Sequence, residues 1–326
     1  MPNALVHYTF AKENVLDPSS SFLDATYVGA QGPDPFFFYG VLPLRNRPHK
    51  KETQSLGGVT QHMEMPIPYA AMIEYAKKSP DKDILFSYID GLFMHYSVDR
   101  CCHPYIFYNT GFTDRPTDSK QVQDYYNFSH MSLEVILDVI ISKREGTFQP
   151  IANVIKIDKK ELKAISKMWY MVNKDVQKVN FINEKSFYRS LIDYQGTEVI
   201  AHDPLGLKKP LFKAIFGRYS FPYGLVMPRN LKRFDGIDFL NEAHKEWLMP
   251  AGEKKKESFD DLLSEAKTIY EILHHLLKEA YEGKEYQNEL NVIASHINHE
   301  GIVEGSPKIY WKLIWPESYI KDIIEH

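Results

Sequence analysis

The sequence predicts an all-α protein, and three observations carry that expectation. In the most hydrophobic part of the chain, Leu85, Tyr88, Ile89, Leu92, Phe93 and Tyr96 fall three or four residues apart, the period of a helix face. Residues 258–282 form a second long stretch that is amphipathic at the same period. Strand signals are few and short, residues 149–157 being the clearest.

The elements follow in order. Residues 4–16 can form a helix behind Asn3 as N-cap. Residues 19–58 read as irregular, dense in Gly, Pro, Ser and Asp, with an aromatic cluster from Phe36 to Tyr39 that serves as core packing or as an apolar wall. A helix over residues 66–78 should stop before Ser79-Pro80. The next spans residues 84–102 and should end ahead of Pro104. Further helices are expected over residues 129–143, 159–173 and 184–194. Residues 204–228 form a looser, basic and aromatic stretch that is assigned to no element, and residues 252–257 read as a solvated loop. In the last long helix, Ser258 and Asp261 have the spacing of a capping pair. No repeat divides the chain, which reads as one domain over residues 1–326.

Composition excludes several classes. The chain has 326 residues, 39 basic against 43 acidic, and a formal charge of −4, which argues against binding nucleic acid through bulk positive charge. With 17 Gly and 19 Pro it is neither collagenous nor disordered. No stretch approaches the roughly 18 apolar residues of a membrane span, and His7, Lys12 and Glu13 interrupt any apolar leader. Cys101 and Cys102 are adjacent, which gives no disulfide framework and reads as buried thiols in a reducing compartment. A cytoplasmic location is the expectation. Thirteen histidines are the feature that composition leaves to be explained.

On the second long helix His95 and Asp99 are four residues apart and share a face, with Gly91 a turn earlier leaving room beside the imidazole. His103 follows by another four. His130 and Glu134 repeat the spacing on the next helix. One such pair is usually a surface contact. Two pairs on otherwise apolar helices are costly to bury without a cation. Helical bundles build internal metal sites in this way. Imidazole and carboxylate without thiolate suit zinc, with iron or manganese also compatible.

With His7 in the first helix, Gly29-Ala-Gln-Gly-Pro-Asp34-Pro, His62 behind Gly57-Gly58, His95-Tyr-Ser-Val-Asp99, His103-Pro-Tyr and His130-Met-Ser-Leu-Glu134, the chain resembles the zinc-dependent bacterial phospholipases C. These share a fold with the fungal zinc single-strand nucleases. The motifs cover roughly residues 1–140. The resemblance implies a multi-helical bundle with a metal cleft between helices. Its metal-binding core would be residues 1–145, and residues 146–326 would complete the fold. It implies two or three zinc ions. Asp34, His62, His95 and Asp99 would hold the first, Asp99 would bridge to a second bound by His7, and His103, His130 and Glu134 would hold the third. It further implies hydrolysis of a phosphoester by a metal-activated water whose proton Asp34 steers or accepts.

Departures accompany the resemblance. The family's mature N-terminal tryptophan, a metal ligand through its amine and carbonyl, has no counterpart ahead of His7; Pro2 would supply a terminal amine if Met1 were removed. Gly-Pro-Asp-Pro is also a turn signal, and His62 by itself reads as a loop histidine. Arg100, Arg115 and Lys120 could contact phosphate but read more simply as surface charges. His202-Asp203 sits in a loop context beside Pro204, His274-His275 point in different directions on their helix, and His296 and His299 could share a helical face without a carboxylate other than Glu300; these are expected to be structural or exposed. Two classes of function follow. One is a hydrolase of a phosphate-containing small molecule or a lipid headgroup; the other is a non-catalytic protein held together by the same metals, or a binding module. Substrate-binding residues are not legible.

Overall fold

The computed structural model describes residues 4–42, 45–111, 120–217, 219–228, 231–234, 236–294 and 296–303. Pro2 and Arg115 lie outside the described residues. Along these run α1 (Ala4–Asn14), α2 (Leu23–Gly29), α3 (Lys50–His62), α4 (Pro66–Lys77), α5 (Lys82–Thr110), α6 (Lys120–Arg144), α7 (Ile151–Val154), α8 (Lys159–Val176), α9 (Ser186–Ala201), α10 (Lys208–Phe216), α11 (Phe221–Leu225), α12 (Phe259–Tyr281) and α13 (Gln287–Ala294). A two-residue antiparallel pair, β1 (Trp247–Leu248) with β2 (Lys254–Lys255), is the one sheet among the described residues. The all-α expectation holds.

The spine is α5, buried along most of its length and packed by α2, α6, α8 and α12. Glycines set its closest approach. A Cβ on Gly91 would strike the Thr26 carbonyl, and one on Gly29 would strike the Tyr88 carbonyl, so α2 and α5 meet backbone to backbone. The space beside Gly91 therefore holds α2 rather than an imidazole. This approach also explains why residues 19–58 are not irregular throughout. α2 is a seven-residue helix in which Asp24, Thr26, Tyr27, Val28 and Gly29 are weak formers, held by α5 rather than by propensity, and α3 forms despite Gly57 and Gly58 because the Phe37 ring packs on Gly57.

Three other local expectations are corrected. α5 runs through Pro104 to Thr110; proline removes one helical bond, but burial of His103, Tyr105, Ile106 and Phe107 against neighbouring elements keeps the axis. Residues 149–157 form the single turn α7 instead of a strand, since the side chain of Gln195 takes the Ile155 carbonyl at 3.1 Å. Part of the 252–257 loop is β2. At α12 the reciprocal bonds between Ser258 and Asp261 form as the spacing predicts.

The aromatic run splits between two roles. Phe36 is buried edge-on to Trp169 and Phe187, and the Trp169 indole donates to the Tyr88 hydroxyl at 2.6 Å. Phe37 and Phe38 instead line a cavity. Fully buried Asp193 on α9 fixes the chain that follows: it accepts from Gly40 N at 2.8 Å and from both Arg45 and Arg47 at 2.6 Å. Those bonds hold its carboxyl below the usual range against the opposing effect of burial. No described helix is long and apolar enough to cross a membrane.

Candidate metal centre

Helical periodicity places His95, Asp99 and His103 on one stripe of α5, all buried. The segment Gly29-Ala-Gln-Gly-Pro-Asp34 wraps the first of them. The Ala30 carbonyl accepts from His95 Nδ1 at 3.1 Å, which leaves the Nε2 lone pair facing inward. Gly32, at φ +57°, lies where any Cβ would collide with the His95 ring. Gln31 accepts from the Tyr194 hydroxyl at 2.7 Å and so ties the segment to α9. Asp34 then enters the centre, oriented by Gln61 Nε2 at 2.9 Å from its Oδ1.

His7 arrives on α1. Asp138, on α6, accepts from the backbone N–H groups of Leu5 and Val6 at 3.0 and 2.7 Å, so a side chain from another helix caps the first turn. The His7 ring stacks on His95 with centroids 4.2 Å apart, and its Nε2 is 3.2 Å from Asp99 Oδ1. On α6, His130 Nε2 lies 2.7 Å from Glu134 Oε1, and the His130 ring faces that of His103 at 5.9 Å.

The remaining donor comes from residues 296–303, beyond the last described helix. His299 is fully buried, with Nδ1 3.4 Å from Asp99 Oδ2 and Nε2 3.2 Å from the Tyr69 hydroxyl. Its own carbonyl accepts from His103 Nδ1 at 2.6 Å, and its N–H donates to the Gln61 carbonyl at 3.2 Å. His299, expected to be structural or exposed, is thus buried within the centre. Nor do His296 and His299 share a helix face, because α13 ends at Ala294. His62 stands apart. Its side chain is 56% exposed, Nδ1 donates to the Gly58 carbonyl at 2.6 Å, and Nε2 is 3.2 Å from Glu300. The end of α3 thus reaches the centre through Gln61 rather than through its neighbour.

The donor atoms gather into three groups, each within 4.8 Å: His7 with Asp34 and His95; His95 with Asp99 and His299; and His103 with His130 and Glu134. Both nitrogens of His7, Nε2 of His95 and Oδ1 of Asp99 are buried without a hydrogen-bond partner among the described residues. Such atoms are expensive to bury in this state. A cation among them removes the cost, and an all-nitrogen-and-oxygen donor set suits zinc. Cys101 and Cys102 belong to none of the groups; both are buried and burial raises both thiols.

Electrostatics favour the same occupant. Burial lowers His103 to about 3 and His130 well below its usual value, so both imidazoles are neutral. Burial opposes ionisation of Asp99, but His95 beside it and the hydrogen bond from His299 outweigh it and hold the carboxyl well below the usual range. Burial raises Asp34 to about 7. A cavity of about 760 Å³ opens beside Asp34, His103, His130 and Glu134, walled by Phe37, Phe107, Phe128 and Tyr219. Arg100 turns away from it to donate to the Ile293 carbonyl at 2.7 Å, and Lys120 pairs with Asp124 on the surface.

An all-α scaffold carrying imidazole and carboxylate donors at the edge of a cavity defines a class of helical proteins with a donor set that could hold metal within reach of a cavity. Residues 2–188, more than half of the chain, match the family described as zinc dependent phospholipase C, and the chain belongs to that family. No curated protein and no solved structure matches it.

Proposed function

We propose that this chain is a metal-dependent phosphoester hydrolase. The observation that carries the reading is the cavity, which reaches the donors Asp34, His103, His130 and Glu134 instead of leaving them enclosed. A purely structural metal site is closed by its ligands. Two or three divalent ions, zinc by donor chemistry and by family, would be held by the three groups. His299 would take the position that the family resemblance assigns to His62. Bound there, the metals supply Lewis acidity toward a phosphoryl group and hydroxide at neutral pH.

The residues divide the remaining work. Asp99 sits between His7, His95 and His299 and would join two of the metal positions. Asp34 borders the cavity and is held by Gln61; it would orient the attacking water and accept its proton. Phe37, Phe107, Phe128 and Tyr219 would exclude bulk water and receive the apolar part of a phosphodiester or phosphomonoester substrate.

The test is elemental analysis of the purified protein, with hydrolysis of a nitrophenyl phosphodiester. Two or three metals per chain and metal-dependent turnover are expected. Less than one metal per chain, or full activity in Asp99→Ala, would sink the proposal.

A further inference from the structure

Away from the metal centre, α5 carries a further buried carboxylate. Asp90 is 8% exposed, and α12 answers it twice: His274 Nδ1 donates to Oδ1 at 2.7 Å, and the Tyr270 hydroxyl donates to Oδ2 at 3.1 Å. These bonds tie α12 to the spine. In the neutral ring they also fix the tautomer of His274, with the proton on Nδ1 and the lone pair on Nε2. A tie between helices needs no open space beside it. Here a separate cavity of about 340 Å³ lies against the pair, bounded by the turn between α1 and α2, by α2, by α5 and by α12. It shares no lining residue with the cavity beside Asp34, and none of its residues belongs to the three donor groups.

Several polar groups bordering this cavity have no partner. Thr26 is 2% exposed, and its hydroxyl makes no hydrogen bond among the described residues; the same holds for the Ser87 hydroxyl, for His274 Nε2 and for the Lys278 ammonium. Lys278 lies one turn beyond His274 on α12, and Glu282, four residues further on, pairs instead with Lys284 at 2.6 Å. A buried hydroxyl left unpaired is costly, and convergent polar groups around a cavity of this size mark a place for a small ligand.

Their chemistry defines what fits. Lys278 supplies one positive charge to the lining, enough for one carboxylate. Both oxygens of Asp90 are engaged, and Asp17, also in the lining, accepts from Ser19 Oγ at 2.7 Å. With two carboxylates beside it, the site favours a monoanion over a phosphate dianion. The hydroxyls of Thr26 and Ser87 can donate to that anion, whereas Nε2 accepts and calls for a donor on the ligand. Val15, Leu16, Phe86 and Leu277 supply an apolar wall.

We propose that this cavity binds a small hydroxy acid with a single carboxylate and an apolar body. The carboxylate rests on Lys278 and on the hydroxyls of Thr26 and Ser87, and the ligand's own hydroxyl donates to His274 Nε2. Binding there does not depend on the hydrolase reading.

The test uses mandelate as the probe, titrated into the full, metal-loaded chain with labelled valine and leucine methyls. Saturable shifts are expected at Val15, Leu16 and Leu277, with a Kd of about 1–10 mM for a ligand of this size. Phenylacetate, which lacks the hydroxyl, should bind at least about threefold more weakly, and inorganic phosphate should not displace mandelate. Lys278→Gln should weaken mandelate at least about fivefold. That side chain is exposed and makes no ion pair among the described residues, so thermal melting and metal content should stay unchanged. Absence of saturable shifts overturns the proposal. So do shifts at Leu133 and Val135 beside Glu134 instead, which would place the acid on the metal donors. Equal affinity in Lys278→Gln, equal binding of phenylacetate, or displacement by phosphate overturns it as well.

Discussion

Replacing His299 by Ala separates the donor set seen in the structure from the set that the family motifs imply. A four-ligand zinc site in a small domain is worth about 10–16 kcal/mol. One ligand of four therefore contributes about 3 kcal/mol, or about 10²-fold in affinity at 1.4 kcal/mol per tenfold. The substitution is selective. His103 donates to the backbone carbonyl of residue 299, which Ala retains, so the group of His103, His130 and Glu134 should keep its metal. His62→Ala is the control: with its side chain 56% exposed and outside the three groups, it should change affinity by less than about threefold. The assay is competition against a chromogenic chelator, with metal per chain counted after dialysis. Melting of the metal-stripped proteins measures packing lost against Tyr69 and Tyr96, which a structural role would also lose. Unchanged metal affinity in His299→Ala would refute the reasoning, as would an equal loss in His62→Ala.

Other perturbations test other parts of the design. Asp99→Asn should weaken metal binding and lower kcat/KM on a nitrophenyl phosphodiester by at least about 10²-fold, because one carboxylate faces three imidazoles from different elements. Burial, then the nearby Asp138, raises Glu198 to about 8 from 4.5, and neither of its carboxylate oxygens has a hydrogen-bond partner among the described residues. The unfolded chain therefore loses this proton first. Stability should fall as pH rises from about 4.5 and level off above 8, by at most about 5 kcal/mol, and Glu198→Gln should flatten that slope in urea titrations. Gly91→Ala should lower stability by about 3 kcal/mol or more in the same titrations, because its Cβ meets the Thr26 carbonyl rather than a movable side chain. Asp193→Ala should cost about 3–5 kcal/mol, since Arg45 and Arg47 lose their shared anion, and proteolysis should then cut between residues 40 and 47.

The helix-borne half of the centre is legible in the sequence because a four-residue spacing is both the signature of a helix face and a means of aligning donors. That covers His95, Asp99 and His103 on α5 and His130 with Glu134 on α6. The segment ahead of Asp34 reads as a turn, and its purpose emerges only in three dimensions, where Ala30 orients His95 and Gly32 makes room for the ring. His299 carries no local signal at all. It lies in a turn 200 residues from Asp99, and what distinguishes it is burial, which no spacing reports. The extended run of α5 was hidden by Pro104, whose local preference yields to tertiary packing. α10 escaped for the opposite reason: Leu207, Leu211 and Ile215 are spaced by four but exposed, so a spacing that marks a core helix elsewhere marks a surface here.

The protonation states of the centre explain why so many polar groups can share one buried space. Metal binding needs neutral imidazoles and ionised carboxylates, and a flexible chain must pay protons to reach that state. Here burial removes the proton from His103 and His130, while His95 and the hydrogen bond from His299 keep the Asp99 carboxyl charged. Backbone carbonyls choose the tautomers. Ala30 takes the Nδ1 proton of His95, and His299 takes that of His103, leaving both Nε2 lone pairs for a cation. Because one of those carbonyls belongs to His299, the last described turn supplies a donor to one group and orients a donor of another. Residues 296–303 thus join two donor groups that the motifs of the first 140 residues treat as separate. Occupancy at one should therefore favour the geometry required at the other, and cutting the chain before residue 296 should weaken both together.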